Sequence, residues 1–222
     1  MSGLRILGLT GSIATGKTHA ASILDAFGIP VFDADAVVHA LLAPGGEAVA
    51  PVLALFAGVG SPDGGIDRAA LAARVFRDEA ALGRLEAVLH PLVRRAEGRF
   101  LARCARARHE LAVLDIPLLF ETGGNRRVDR TLLVTCHPRI QEIRALRRCG
   151  MNRERLRAIR RRQMSEAEKR KRADFVIVTG LGRDVTERRL REIVLRMRSV
   201  PPRAWPARWK MLAALGERRH DP

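Results

Sequence analysis

The sequence predicts an α/β fold with a doubly wound, five-stranded parallel sheet. Five short apolar runs have the length of buried strands, and each ends in polar or turn-forming residues. Helical patterns lie between these runs, which favours parallel strands covered by helices on both faces. The predicted strands are "LRILGL" (residues 4–9), "IPVF" (29–32), "ELAVLDI" (110–116), "RTLLVTC" (130–136) and "DFVIV" (174–178).

Helical periodicity marks the first and last helices. Apolar residues at i, i+3, i+4 and i+7 predict one helix after the first strand and another near the end of the chain. In the first helix these residues are Ala20, Ile23, Leu24 and Phe27, and Gly28 closes it. The last helix is predicted to begin near Asp184 and to carry Leu190, Ile193, Val194 and Met197.

Two helical segments interrupt the alternation of strands and helices. Residues 41–107 form an insertion between the second and third strands, with a turn predicted at "GSPDGG" (60–65). Residues 138–172 form a second, Arg-rich segment. The core therefore consists of residues 1–40, 108–137 and 173–198, and a tail with prolines and tryptophans occupies 199–222.

The chain is strongly basic, with 40 Lys and Arg against 24 Asp and Glu in 222 residues, a formal net charge of +16. Residues 139–172 hold 14 basic and 4 acidic side chains, and residues 94–108 hold 6 and 1. Such segments could bind a nucleic-acid backbone or the phosphates of small ligands. They could also be solvated helix faces that bind nothing. An aromatic content of 4% without tyrosine offers few stacking platforms, which disfavours single-stranded nucleic acid.

Cysteine usage and hydropathy predict the compartment. The cysteines Cys104, Cys136 and Cys149 are far apart and form no Cys-x-x-Cys pair, so a reduced, cytoplasmic protein is expected. The longest nearly uncharged stretch, residues 48–60, is shorter than the roughly 20 residues that span a bilayer. We expect no membrane span and a monomer or small homo-oligomer.

A phosphate-binding loop is predicted between the first strand and the first helix. Gly11, Gly16, Lys17 and Thr18 satisfy the pattern G-x-x-x-x-G-K-[ST]. Glycines at this spacing let backbone N–H groups converge on phosphate oxygens, and the helix N-terminus adds its dipole. Lys17 should reach the β- and γ-phosphates of ATP, and the Thr18 hydroxyl should bind Mg²⁺. The core is therefore similar to those of P-loop NTPases and nucleotide kinases.

Two aspartates follow the second strand in "FDAD". While the strand continues, Asp33 and Asp35 face the same side, at the sheet edge where open α/β folds bind ligands. A carboxylate there can orient an acceptor hydroxyl and take its proton, so Asp35 is the predicted base. Asp33 is predicted to lie beside it at the acceptor, or to bind a Mg²⁺-bound water. Either one could instead cap the next helix.

Two further acidic residues follow the third strand in "DIPLLFE". Asp115 ends the apolar run, as do the Walker B carboxylates that bind Mg²⁺ or its water shell. A turn-forming role explains Asp115 equally well. Glu121 comes at the same crevice edge and is predicted to face the acceptor.

The Arg-rich segment is predicted to open with a helix at Pro138, because proline suits the first helical turn. Gln141, Arg144 and Arg148 are spaced i, i+3 and i+7 and would share one face. Two guanidiniums that close over a transferring phosphate can contribute about 10³ to 10⁵ in rate. Exposed arginines on a solvated face contribute almost nothing, and this alternative stays open.

His90 is predicted to end a helix beside the acceptor site. It precedes Pro91, and a residue before proline is pushed towards an extended backbone. A purely structural histidine is the alternative.

In this order, the motifs resemble the dephospho-coenzyme A kinase family over about residues 6–194. The resemblance is carried by "GLTGSIATGKT", "FDAD", "IDRAAL" followed by "VF", "LEAVLHP", "DIPLLFE", "QEIRALRR", "RRRQ" and "ADFVIV". The phosphate loop alone is shared by many enzyme families. "DAD", the His-Pro pair and "PLLFE" at these intervals are much more specific.

The resemblance implies transfer of the γ-phosphoryl group of ATP to the 3′-hydroxyl of dephospho-coenzyme A, the last step of coenzyme A biosynthesis. It implies that the phosphates of ATP are held by Ala14, Thr15, Gly16, Lys17, Thr18 and His19. It also places Asp35 as the base, Arg144 and Arg148 in a lid, and Arg68 and His90 near the coenzyme. The alternatives are a nucleoside or nucleotide kinase on the same scaffold, and a basic nucleic-acid-binding protein whose loop only senses nucleotide.

Some positions depart from the family pattern. The family loop usually continues Gly-Ser-Gly-Lys-[ST]-Thr, where this chain has Ala14, Thr15 and His19. After "ADFVIV" the family generally has Asn where this chain has Thr179. Gly16 is retained, so the backbone cradle is expected to persist, whereas a hydroxyl contact at His19 and an adenine contact at Thr179 stay open.

Overall fold

The chain divides into two units, which we describe from a computed structural model covering residues 3–76 and 78–209. The first unit consists of Met1–Phe32 and Leu101–Pro222 and is built on a sheet. The second unit, Asp33–Phe100, is mainly helical.

Five strands form the sheet of the first unit, in the order β2-β3-β1-β4-β5. Strand β1 runs parallel to β3 and β4, and β4 runs parallel to β5. The predicted five-stranded parallel sheet is confirmed. The strands are β1 Arg5–Gly11, β2 Val31–Asp33, β3 Leu111–Asp115, β4 Arg130–Cys136 and β5 Phe175–Thr179.

The register of the strands brings their carboxyl ends to one edge. Leu9 of β1 lies opposite Asp115 of β3, and Cys136 of β4 lies opposite Thr179 of β5. The loops that follow these strands therefore begin along the same edge, where open α/β sheets bind their ligands.

Helices α1 (Lys17–Ala26) and α9 (Arg183–Arg198) pack in the same core cluster as the central strands. The faces that these helices bury are the ones predicted from periodicity. Full burial of a Leu, Ile or Met side chain stabilises the fold by roughly 1.5–3 kcal/mol, which favours this orientation of each helix. The buried residues of the two helices in this cluster are Ala20, Ile23, Leu24, Leu190, Ile193 and Met197.

The Arg-rich segment forms three short helices, α6 (Pro138–Leu146), α7 (Arg153–Arg162) and α8 (Glu166–Arg172). Helix α6 begins at Pro138 as predicted. Side-chain caps start the other two: Asn152 accepts from the Arg155 N–H at 2.7 Å, and Ser165 accepts from the Glu168 N–H at 3.2 Å.

The second unit contains α2 (Ala34–Leu42), α3 (Val49–Leu55), α4 (Arg68–Val75) and most of α5 (Glu79–Arg106). It has a hydrophobic core of its own, which includes Val52, Leu71, Leu85 and Leu89. The predicted turn at 60–65 is confirmed, because the Ser61 N–H donates to Gly65 O at 2.9 Å.

The predicted helix end at His90 is wrong. Helix α5 continues from Glu79 to Arg106 with Pro91 inside it. An interior proline costs about 3 kcal/mol, because it removes one hydrogen bond and crowds the preceding turn. Leu89 before the proline and Leu101 after it are both buried, so packing on each side outweighs the local preference.

No helix within residues 3–76 and 78–209 combines the length and the apolar character that crossing a bilayer requires.

The chain after α9 packs on the first unit as far as Trp209, and the rest of the predicted tail lies outside the described residues. The Asp129 carboxylate accepts from the N–H groups of Arg203 and Ala204, both at 2.8 Å. The indole of Trp209 donates to Arg127 O at 3.2 Å. The Asp129 carboxylate and the Trp209 indole thus attach this segment to the rest of the first unit.

Candidate active site

Two glycines shape the loop between β1 and α1 for different reasons. Gly11 ends β1, and a Cβ added there would lie 2.6 Å from Val134 O and 2.7 Å from Thr15 Oγ1. Gly16 precedes α1 with a φ of +95°, in the left-handed region that favours glycine. The predicted order of strand, glycine loop and helix is therefore present, and neither glycine can be replaced without strain.

Ala14 also has a left-handed backbone, with a φ of +61°. A side chain in this conformation costs roughly 1–2 kcal/mol, which accounts for the glycine of the family pattern. In this chain the Ala14 methyl group is buried in a small cluster with Ala145 and Leu156. Contact with α6 and α7 offsets the backbone cost and explains how alanine is accommodated.

The other loop side chains fall into two groups. Thr15 is buried, and its hydroxyl donates to Ser12 O at 2.9 Å, which closes the turn of the loop. Thr18 and His19 are exposed in the first turn of α1. A ligand at the loop can therefore reach the last two but not the Thr15 hydroxyl.

Lys17 and Asp115 form an ion pair, with Lys17 Nζ 2.6 Å from Asp115 Oδ1. Asp115 ends β3 next to β1, so the strand pairing places its carboxylate beside the loop. The side chains are 16% and 5% exposed, so water screens their attraction poorly. The structure thus joins two residues that the sequence assigned separately, one to phosphate and one to metal.

Side chains of the Arg-rich segment form hydrogen bonds with residues of the phosphate loop. Gln141 Nε2 donates to Ile13 O at 2.9 Å, and Gln163 Oε1 accepts from the Ile13 N–H at 3.3 Å. Glu166 Oε2 accepts from the Ser12 hydroxyl at 3.2 Å. Sequence reasoning did not find these contacts of Gln163 and Glu166, although the glutamine of "RRRQ" was a signal.

The two predicted lid arginines do not share a helical face. Helix α6 ends at Leu146, so the i+7 spacing does not apply to Arg148, which lies beyond the helix and is exposed. That part of the prediction is wrong. Arg144 lies within α6, is half-buried, and donates from Nη1 to Thr179 Oγ1 at 3.1 Å. Arg144 is therefore the arginine that the fold holds at the loop.

Glu121 anchors the Arg-rich segment. Its Oε1 lies 2.9 Å from Lys169 Nζ and accepts from the Met164 N–H, also at 2.9 Å. Lys169 is completely buried, and the Glu121 carboxylate is the anion that offsets the cost of burying its side chain. The sequence assigned Glu121 to the acceptor and missed the anchor, because the two partners are far apart in the chain.

The two aspartates of "FDAD" do not continue one strand. Strand β2 ends at Asp33 and α2 begins at Ala34. Asp33 Oδ1 accepts from the Ala36 N–H at 3.0 Å, so Asp33 caps α2. The prediction that both face one side of a strand is wrong, because the cap turns the chain. Asp35 lies in the first turn of α2 and is exposed.

A polar surface of the second unit includes Asp35. His39 lies four residues later on α2, so the two side chains are on one face. Arg68 Nη1 lies 3.5 Å from His39 Nδ1. His90 is half-buried within α5. Sequence reasoning missed His39, although its i, i+4 spacing from Asp35 could have indicated it.

Cys136 lies under the loop, with Sγ 4.0 Å from Ala14 O. Burial raises the pKa of the Cys136 thiol, and the charges of Arg144 and Arg160 lower it to a smaller extent. The thiol is therefore protonated at neutral pH. The same two arginines add positive charge around the loop, which attracts anionic ligands.

A phosphate loop at the carboxyl edge of a parallel sheet, with Lys17 and Arg144 beside it, defines a nucleotide-binding enzyme with a P-loop kinase-like fold. The chain belongs to the dephospho-CoA kinase family, because the model of that family matches residues 5–182. It is therefore an ATP-dependent enzyme with dephospho-CoA kinase activity.

Similarity to individual proteins supports the same family membership. A dephospho-CoA kinase from Rhodospirillum rubrum is 52% identical over 194 residues, which covers 87% of this chain and 92% of the relative. One from Paramagnetospirillum magneticum is 57% identical over 167 residues, 75% of this chain and 78% of the relative. The crystal structure of TT1252 from Thermus thermophilus has a TM-score of 0.77 and 38% identity, covering 86% of this chain and 96% of that one.

Proposed function

We propose that this kinase moves the γ-phosphoryl group of ATP to the ribose 3′-hydroxyl of dephospho-CoA. The hydroxyl oxygen attacks the γ-phosphorus, its proton passes to a carboxylate, and the bond to the β–γ bridging oxygen breaks to release ADP. The Lys17–Asp115 pair beside the loop, in a chain matched by this family over residues 5–182, carries the proposal.

The donor side is the phosphate loop. Lys17 leaves Asp115 for the β- and γ-phosphates when ATP binds, because the two anions compete for one cation. Backbone N–H groups and the start of α1 hold the remaining phosphate oxygens. The residues assigned to ATP are Gly11, Ala14, Thr15, Gly16, Lys17, Thr18 and His19.

Mg²⁺ is the metal that we assign to the donor side. The Thr18 hydroxyl and the Asp115 carboxylate are hard oxygen ligands of the kind that Mg²⁺ prefers, and Mg²⁺ usually takes one or two carboxylates together with substrate phosphates. The exposure of Thr18 and the position of Asp115 at the end of β3 fit this donor set. When bound, the ion neutralises charge on the phosphate oxygens.

We assign the acceptor to the second unit, within the predicted insertion 41–107 and the residues just before it. Asp35 takes the hydroxyl proton, and its exposed carboxylate near the start of α2 supports this role. Arg68 supplies a cation for the diphosphate of dephospho-CoA. Asp33 and His90 complete the acceptor set of this unit. Glu121, which the sequence also assigned to the acceptor, belongs to the first unit, where one of its oxygens is already bonded to Lys169 and Met164.

Residues 138–172 act as a lid in this proposal. Arg144 and Arg148 stabilise the charge that develops on the transferring group, an effect worth about 10³ to 10⁵ in rate. The hydrogen bond from Gln141 to Ile13 O and the one from the Ile13 N–H to Gln163 support a position of this segment over the loop. Arg144 has the stronger support, because its guanidinium is already held next to the loop.

We also place the enzyme in the cytoplasm, as a monomer or small homo-oligomer. The free thiols of Cys104, Cys136 and Cys149 support a reducing compartment. The positive charge of the Arg-rich lid is assigned to binding and steering of the substrate phosphates, and no specific nucleic acid is expected as a partner.

A phosphoryl-transfer assay with the full chain, ATP and Mg²⁺ tests the proposal. We expect rapid formation of ADP with dephospho-CoA and detection of CoA by mass spectrometry. Equal or faster turnover with nucleosides or nucleoside monophosphates would overturn the substrate assignment. The Lys17→Ala variant controls for contaminating kinases.

A further inference from the structure

Thr179 lies where the phosphate loop and the Arg-rich segment meet. It is the last residue of β5, opposite Cys136 of β4, and only 4% of it is exposed. Its hydroxyl donates to Thr15 O at 2.5 Å and accepts from Arg144 Nη1 at 3.1 Å. A hydroxyl has one donor and two acceptor lone pairs, so both bonds form at once.

The bond to Thr15 also orients a phosphate-binding group. The Thr15 carbonyl and the Gly16 N–H belong to one planar trans peptide, so they point in opposite directions. A hydroxyl that holds the carbonyl on one side therefore directs the Gly16 N–H to the other side. Thr179 also limits residue 16 sterically, because a Cβ added to Gly16 would lie 3.1 Å from Thr179 Oγ1 and 3.3 Å from Cγ2.

The bond from Arg144 leaves most of that side chain available. A guanidinium carries five N–H donors, and one of them is directed to Thr179. The contact restricts the orientation of the guanidinium relative to the loop, and the remaining donors can bind phosphate oxygens. An arginine held before the ligand arrives loses less conformational entropy on binding.

We propose that Thr179 is a positioning residue that couples the phosphate loop to Arg144. Its hydroxyl aligns the Gly16 N–H and the Arg144 guanidinium, so that both groups meet the phosphates of ATP in one arrangement. This inference rests on the proposed role of Arg144 in phosphoryl transfer. It also gives a role to a threonine at a position where the family pattern generally has asparagine.

Thr179→Val tests the hydroxyl, because valine keeps the branched shape and removes the polar group. We expect kcat/KM for ATP to fall about 10- to 100-fold, the range for loss of a hydrogen bond to a charged group. The KM for dephospho-CoA should change less than twofold. Thr179→Ser keeps the hydroxyl and should retain kcat/KM for ATP within about threefold of wild type.

A matched control is Thr186→Val. Thr186 is equally buried, but its hydroxyl donates to Gly182 O at the start of α9. We expect this variant to keep the kinetics of wild type. A thermal melt of each variant, monitored by circular dichroism, shows that the chains compared are folded.

The double variant with Arg144→Met tests the coupling. We expect Thr179→Val to have a smaller effect in the Arg144→Met background than in wild type, because only the bond to Thr15 O is left to lose. Additive losses would overturn the coupling. Equal losses in Thr179→Val and Thr179→Ser would overturn the role of the hydroxyl in favour of packing.

Two further outcomes separate this inference from the proposed function. If Thr179→Val has the kinetics of wild type while Arg144→Met is impaired, the inference is wrong and the role of Arg144 stands. If Arg144→Met itself has the kinetics of wild type, the proposed role of Arg144 is wrong, and the inference is overturned with it.

Discussion

Lys17 Nζ lies 2.6 Å from Asp115 Oδ1, between the start of α1 and the end of β3. A cation and an anion from two separate motifs thus neutralise each other beside the phosphate loop. In the proposed reaction, Lys17 exchanges this carboxylate for phosphate oxygens of ATP. The pair is therefore one contact that changes in the proposed reaction.

Replacement of Lys17 should have a large effect on catalysis. Lys17→Ala removes the cation for the β- and γ-phosphates, so we expect kcat/KM for ATP to fall about 100-fold or more. Steady-state kinetics at saturating dephospho-CoA measure this change. ATP should also no longer raise the melting temperature. A variant with the rate of wild type would overturn the assigned phosphate loop.

The two aspartates at α2 should behave differently. Asp35→Ala is expected to lower kcat about 10²- to 10⁴-fold while ATP still binds, because the lost carboxylate acts on the acceptor. Asp33→Ala is the matched variant and should lower the free energy of unfolding by about 1 kcal/mol, since it loses the bond to the Ala36 N–H. A kcat near wild type in Asp35→Ala would exclude it as the base.

Gly11 is expected to tolerate no side chain. Gly11→Ala would place a Cβ 2.6 Å from Val134 O, so the loop must shift and the affinity for ATP should fall at least tenfold, as measured by calorimetry. Gly83→Ala is the control, because Gly83 lies within α5 and, beyond its own turn of helix, no atom of the described residues lies within 4 Å of the added Cβ. The control should gain roughly 0.5–1 kcal/mol in stability.

The buried anchor of the Arg-rich segment should contribute to stability. Lys169→Met leaves the Glu121 carboxylate without its cation, so we expect the free energy of unfolding in urea to fall by about 3 kcal/mol. The double variant Lys169→Met/Glu121→Gln should recover part of the lost free energy of unfolding, because it no longer carries the unpaired Glu121 carboxylate. Equal stability of wild type and Lys169→Met would contradict the anchor.

The cysteines should react with alkylating reagents in a set order. Burial raises the pKa of Cys104 and of Cys136, so at pH 8 each holds less thiolate than in the unfolded chain. We expect iodoacetamide to modify the exposed Cys149 first. In urea the three cysteines should react at similar rates, because all of them are then exposed. Peptide mass spectrometry measures the order, and early labelling of Cys136 would contradict it.

The raised pKa values of Cys104 and Cys136 also predict how the free energy of unfolding depends on pH. A thiol with a raised folded pKa binds its proton more tightly in the native state than in the unfolded state. The unfolded chain therefore loses this proton first, at a pH of about 8.5. From there up to the raised folded pKa, the free energy of unfolding should fall as the pH rises.

Local signals in the sequence were sufficient for the elements that frame the site. Short apolar runs predicted the five strands, and the period of 3.6 residues predicted the faces of α1 and α9, because burial acts on residues that are close in the chain. The spacing of Gly11, Gly16 and Lys17 predicted the loop for the same reason. Local rules failed at Pro91 and Arg148, where packing and the end of α6 decided the backbone.

The sequence by itself therefore determined the class of fold, the phosphate loop and the family. Only the tertiary structure decided which distant side chains meet: Asp115 with Lys17, Gln163 with Ile13, Glu121 with Lys169, and Thr179 with Arg144. The physical reason is that periodicity specifies whether a residue is buried but not which partner it contacts. Partners are set by the order of the strands and by the packing of α6 to α8, which bring together residues far apart in the chain.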